Sequence, residues 1–227
     1  MKKMFFVLIL FSTSIKNMSI DDKLFEGIQK NDVKVVQEAI EQGANVKSFY
    51  NGILYQPVLV LAVYTPQIDI EILKILVEAG ADIDIQDWAG WTPLMTAVIV
   101  NNLKVLEFLI RHGANVNFIN KRGVYSSILE RAVYKKNIVT VKLLVENGAD
   151  IFFNSYKSSI FEHAKEVGNL EIIAFLEEAR IKYFQEKWNP NIPKVLVKIV
   201  LEYWNSDYKV KYKREITKRN CDICVII

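Results

Sequence analysis

Apolar residues recur at helical spacing through the middle of this chain. Leu103, Leu106, Leu109 and Ile110 fall on one stripe of a 3.6-residue period. Just upstream, Leu94, Ala97 and Val98 define one face of a shorter helix. Thr92 stands where that helix starts, its hydroxyl placed to accept an orphan N–H of the first turn. Pro93 takes the first helical position, where a missing N–H costs nothing. Asn101-Asn102 breaks the first helix from the second, and Gly113 is placed to end the second in a left-handed conformation. Asp87-Trp88-Ala89-Gly90 reads as a turn ahead of the pair. Turn, short helix and longer helix make one unit.

The unit recurs. Gly-Ala pairs at Gly43, Gly80, Gly113 and Gly148 close successive copies, and Gly27, Ala62, Ala97, Ala132 and Ala164 mark the small position of the inner helices. The Thr-Pro-Leu start is intact only at Thr92. Pro57-Val58-Leu59, Ser127-Ile128-Leu129 and Ser159-Ile160-Phe161 replace it in other copies. The spacing, near 33 residues, together with Thr92-Pro93-Leu94 and Gly113-Ala114-Asn115-Val116-Asn117, resembles the ankyrin repeat. The resemblance runs from about Ile20 to Ala179. It implies an all-α solenoid of about five helix-turn-helix units with short β-turn fingers and a helical cap. Such units cannot bury their apolar faces alone and stack to do so. Met95 stands where the family usually has His, which removes a hydrogen-bond network and implies modest stability. Phe49 to Gln56 predicts a longer, protruding aromatic connection.

The resemblance also implies where a partner lies, in a concave groove lined by turn tips and inner helices. Carried over position by position, the third copy offers Trp88, Ala89 and Trp91 at its turn, with Ile99 and Val100 on its inner helix. The fourth copy adds Lys121, Arg122, Tyr134 and Lys135, and the second adds Tyr64. Clustered exposed aromatics tend to mark interfaces. The groove is aromatic in its middle and basic beside it, which fits a protein with apolar anchors and some acidic character. In the other reading, Trp88 and Trp91 pack on the loop from Phe49 to Tyr55 as ordinary core.

Composition narrows the classes. The 227 residues are 51% hydrophobic, enough for a sizeable core, and the net charge of +3 carries no global signal for nucleic acid. Cys221 and Cys224 are the only cysteines, so the body has no disulfide framework. Their Cys-x-x-Cys spacing supplies half the ligands of a structural zinc, and His112 and His163 belong to separate repeats. No nucleophile triad, phosphate loop or metal set is present, so no enzyme and no cofactor are expected.

The two ends carry their own signals. Met1-Lys2-Lys3, the apolar run from Met4 to Phe11, and Ser12-Thr13-Ser14 follow the layout of a secretory leader, with cleavage after Ser14 or Ser19. The alternatives are an N-terminal helix on the first repeat or a membrane anchor. At the other end, Cys224-Val225-Ile226-Ile227 fits a prenylation box. Six Lys/Arg between Lys209 and Arg219 and a second lipidation candidate, Cys221, provide the further signals that stable anchoring takes. The alternative is a basic tail that ends apolar by chance. The two ends are compatible in a protein exported by a bacterium into a host cell that then lipidates it. If one end is misread, the expectation is a cytoplasmic protein held at a membrane by its C-terminus. A reporter carrying the tail tests the lipid: membrane partition unchanged by Cys224→Ser removes it.

Between repeats and tail, Trp188-Asn189-Pro190-Asn191 breaks the chain. Residues 192–204 then predict a helix whose apolar face comprises Val195 or Leu196, Ile199, Val200 and Tyr203. The segment resembles the opening of an F-box, of the PRANC kind that follows ankyrin repeats in poxvirus proteins. That resemblance implies recruitment of a ubiquitin-ligase adaptor. The alternative is a helix that caps the solenoid. The expected organisation is a leader over 1–19, repeats over 20–180, a cap or F-box-like helix over 181–206 and a basic tail over 207–227. The expected function is a monomeric protein-interaction scaffold, secreted and host-directed, with the ligase adaptor as the alternative.

Overall fold

The computed structural model describes residues 19–50, 56–122, 127–153, 159–188 and 190–205. The leader, the basic tail with Cys221 and Cys224, and the tip of the 49–56 connection lie outside the described residues. The chain forms two compact units that divide between Ile172 and Ile173.

The first unit is a stack of helical hairpins. Its inner helices are α1 (Ile20–Gln29), α3 (Val58–Tyr64), α5 (Pro93–Ile99), α7 (Ile128–Tyr134) and α9 (Ile160–Val167). Its outer helices are α2 (Val33–Glu41), α4 (Ile70–Glu78), α6 (Leu103–Arg111) and α8 (Ile138–Glu146), followed by the start of α10 (Leu170–Trp188). Each of α2, α4, α6 and α8 opens with an Asp or Asn side chain (Asp32, Asp69, Asn102, Asn137) that accepts first-turn N–H groups. The expected left-handed stop is present: Gly113 has φ +88°, and the next N–H, of Ala114, reaches the Leu109 carbonyl at 3.0 Å.

The central inner helices α3, α5 and α7 are enclosed, whereas α1 and α9 each keep an exposed face. Helix α5 packs on α3, α6 and α7 at once, so Pro93 to Val98 are all buried. The one-sided pattern of Leu94, Ala97 and Val98 therefore understates its burial. Met95, in place of the family's usual His, is itself buried, and its N–H donates to Thr92 Oγ1 at 3.3 Å. Two replacements of Thr-Pro-Leu are better capped than they look. Ser127 pairs reciprocally with Glu130, and Ser159 with Glu162, in capping boxes. Helix α3 starts after Pro57 with no side-chain cap.

Polar side chains stitch one hairpin to the next. Asn31 donates to the Gln67 carbonyl (3.2 Å) and accepts from Asp69 N–H (2.8 Å). Asn117 donates to the Gly148 carbonyl (2.8 Å) and accepts from Asp150 N–H (2.7 Å). Asn31, Gln67, Asn101 and Lys136 turn the chain between inner and outer helices at φ between 52° and 56°. Asn tolerates that region, whereas Gln and Lys are strained there.

The connection after the first hairpin is held at its base by a short two-stranded ladder. Strand β1 (Phe49–Tyr50) runs antiparallel to β2 (Gln56–Pro57), with Phe49 opposite Pro57. The Tyr50 ring meets Phe25 edge-on at 5.1 Å.

The second unit holds most of α10 and all of α11 (Lys194–Asn205). Its core is Ile181, Val197 and Leu201, with Phe184 and Ile192 against them. This corrects the expected face of α11. Val195 and Leu196 are exposed, at 67% and 51%, because Val197 and Leu201, one turn apart, take the buried side. Gln185 donates to the Ile192 carbonyl at 2.8 Å and fixes the bend between the two helices.

Candidate functional site

The finger before α5 is built by one carboxylate. Asp87 is buried, and its Oδ1 accepts from both Ala89 N–H and Trp91 N–H at 2.9 Å. The Asp87 N–H donates to the Trp91 carbonyl at 3.0 Å and closes the turn. Gly90 has φ +80°, and a Cβ there would lie 2.6 Å from Asn120 Oδ1. Only glycine fits both constraints.

Asn120 and Arg122, on the next finger, lock this one in place. Asn120 is buried, donates to the Ala89 carbonyl at 3.1 Å, and accepts from Arg122 N–H at 2.8 Å. Arg122 Nη1 donates to the Trp88 carbonyl at 3.2 Å. The backbone of Trp88 is thus fixed while its side chain stands 59% exposed. An indole held out on a rigid turn loses little further entropy on contact.

Trp91, by contrast, is half-buried. The Arg131 guanidinium lies over it, 5.0 Å from the ring centroid, and 5.8 Å from that of Tyr134. Tyr134 in turn stacks on His163 of α9 at 6.5 Å, with 17° between the planes. At the end of α3, burial first and then the Asp87 carboxylate push the Tyr64 phenol above its ordinary pKa. The Thr96 hydroxyl and the Arg131 charge act against that rise. Aromatic and cationic groups from consecutive inner helices therefore share one strip.

The structure ties Arg122 to Trp88 through a side-chain bond to the Trp88 carbonyl, Ala89 to Asn120 through another, and Trp91 to Tyr134 through Arg131. Ile99 is the last residue of α5 and half-buried, and Val100 caps it, exposed. Lys121 and Lys135 are exposed. Sequence reasoning passed over Asp87, Asn120, Arg131 and His163 as parts of this strip. Asn120 was findable: Asn120-Lys121-Arg122-Gly123 is the copy of Asp87-Trp88-Ala89-Gly90 one period on. Arg131 was findable as well, three residues before Tyr134 on one helix face.

Among the described residues, no cluster of three His, Cys, Asp or Glu could hold a metal ion. His112 stacks on Phe108 at 4.0 Å, and its Nδ1 contacts the Phe108 carbonyl at 2.8 Å.

Residues 24–120 match the family model of ankyrin repeats, in three copies. Over 124 residues the chain is 31% identical to alpha-latrotoxin-Lg1a of Latrodectus geometricus, covering 54% of this chain and 9% of that protein. Over 81 residues it is 42% identical to the B-cell lymphoma 3 protein homolog of Mus musculus, covering 35% and 18%. Over 147 residues it is 33% identical to an ankyrin repeat protein of Fowlpox virus (strain NVSL), covering 62% and 18%. The chain spans less than a fifth of the length of each of these three.

Proposed function

Since residues 24–120 are ankyrin repeats, a protein-binding scaffold, we infer that this chain grips a partner protein through the concave strip around Trp88, Trp91, Val100 and Tyr134. The observation that carries this reading is Trp88, 59% exposed on a finger clamped by Asp87, Asn120 and Arg122. A large apolar ring held rigidly in water costs solubility and suits an anchor in a partner's pocket. Affinity capture from a eukaryotic lysate, with the full chain and with Trp88→Ser, tests it. A partner held by the first and lost from the second is expected. Equal recovery by both sinks the reading.

A second reading makes the chain an adaptor that presents its captive to a ubiquitin ligase. Exposed Val195 and Leu196 on α11 favour it, since two adjacent apolar side chains in water suit docking. Ligase adaptors recovered by the full chain and lost with Val195→Asp/Leu196→Asp would support it; their absence from the capture removes it. Export rests on residues 1–19 and lipidation on Cys224. A host-directed scaffold follows from both, and the reporter comparison with Cys224→Ser decides the lipid.

A further inference from the structure

We propose that Trp91, Arg131 and Tyr134 form a receptor for a carboxylate, and that the occupant of this stretch of the groove is an acidic segment of a partner protein. The proposal rests on the concave-face reading and adds what the face selects. Arg131 Cζ lies 5.0 Å from the Trp91 centroid and 5.8 Å from the Tyr134 centroid. Both rings lie close enough to steady the guanidinium by cation–π attraction, and the group carries a planar fork of N–H donors. A carboxylate matches the fork with two parallel hydrogen bonds. With five donors, the group can serve a neighbour on its own chain and a ligand as well.

Charge complementarity names the occupant. Residues 121–136 contain five cations (Lys121, Arg122, Arg131, Lys135, Lys136) and one acid, Glu130, so five minus one leaves +4. Glu130 is buried and accepts the Ser127 N–H at 3.1 Å, facing inward in its capping box. Asp87 is likewise buried and engaged by its own turn. On α9 two acids are exposed: Glu162, which accepts the Ser159 N–H at 2.9 Å in its capping box, and Glu166, 3.8 Å from His163. A positive stretch beside the exposed rings of Trp88 and Tyr134 fits acidic side chains flanking an aromatic one.

The chain's own ends carry the wrong sign to fill it. Residues 1–18 hold Lys2, Lys3 and Lys16 and no acid. Residues 206–227 hold six Lys/Arg against Asp207, Glu215 and Asp222. Single-stranded nucleic acid is disfavoured at Trp91 and Tyr134 by what already lies against those rings. Stacked bases need open aromatic faces, and here Arg131 lies over Trp91 while Tyr134 meets both Arg131 and His163.

The test is fluorescence anisotropy on the purified full chain at low salt. The probes are a labelled peptide of about a dozen residues with Glu around a central Trp, its Gln copy, and an oligouridylate of similar length. The Glu peptide is expected to bind at least tenfold tighter than the Gln copy and to weaken as salt rises. Arg131→Gln should bring it to the Gln level, and Arg131→Lys should restore only part, because an ammonium lacks the fork. Thermal melts followed by circular dichroism check folding. Should Arg131→Gln melt early, the exposed Lys135→Glu takes its place, with at least a threefold loss expected. Equal binding of the Glu and Gln peptides overturns the proposal. So does tighter binding of the oligonucleotide, or self-association abolished by Arg131→Gln. If no peptide binds while Trp88→Ser still loses its captured partner, the acid preference falls and the concave reading stands. If that capture is also unaffected, both fall.

Discussion

The outer helices of the stack meet water on one side, while the central inner helices α3, α5 and α7 hardly meet it at all. In α6, Val105, Leu106, Phe108 and Leu109 are buried, and Lys104, Glu107 and Arg111 face outward or lie at the boundary. In α5, everything from Pro93 to Val98 is buried. A half-wet helix writes its period into the sequence, and a dry one does not. The dry helices also reach solvent chiefly at their C-terminal ends, at Tyr64, Val100 and Tyr134. A repeat stack of this kind separates the residues that hold it together from those left at the surface.

The largest test of that separation is a pair of equal truncations. Leu94→Ala, in a fully buried inner position, should cost about 3 kcal/mol, since it leaves a cavity among three neighbouring helices. Leu103→Ala, on an outer helix and 36% exposed, should cost well under 1 kcal/mol by the area it leaves buried. Urea melts measure both, and similar losses would mean that the two layers are not distinct.

Next is the finger that feeds the inner helix. Gly90→Ala should cost about 2 kcal/mol, for a strained positive φ and for the push against Asn120 Oδ1. It should also change the fluorescence of Trp88 and Trp91, because the clamp must open. A melt and an emission spectrum identical to the parent's would show that the finger is not clamped.

The smallest effect is expected where an inner helix passes to an outer one. Lys136 sits at φ 56°, and Lys136→Gly should raise stability by about 0.5 to 1 kcal/mol, as strain relief exceeds the added chain entropy. A loss of stability would show that the Lys136 side chain contributes more than its backbone strain removes.

Much of the fold was legible because its signals are local. Thr92 and Pro93 at a helix start, Gly113 at a helix end, and the recurrence of Gly-Ala pairs each follow from the backbone chemistry of a few neighbouring residues. The capping boxes at Ser127 and Ser159 were equally local, and were obscured by reading those positions as failed copies of Thr-Pro-Leu. The face of α11 was misjudged because two adjacent stripes are apolar, and only the position of Ile181 selects between them. The aromatic positions of the candidate strip came from the repeat pattern, but their division of labour did not. Trp88 and Trp91 are three residues apart in one turn, yet one stands in water and the other lies under Arg131, a residue of the next repeat.

The sequence by itself determined the unit, its period and the points where the chain turns, since φ preferences and caps act within a few residues. Tertiary structure alone decided which apolar stripe is covered, which tryptophan is exposed, and that Asn120 and Arg131 lie against the tryptophan-bearing turn of the candidate site. The stripe of α11 depends on Ile181 of the preceding helix, and the tryptophans depend on neighbours about 30 to 40 residues away, brought close only when one hairpin lies on the next.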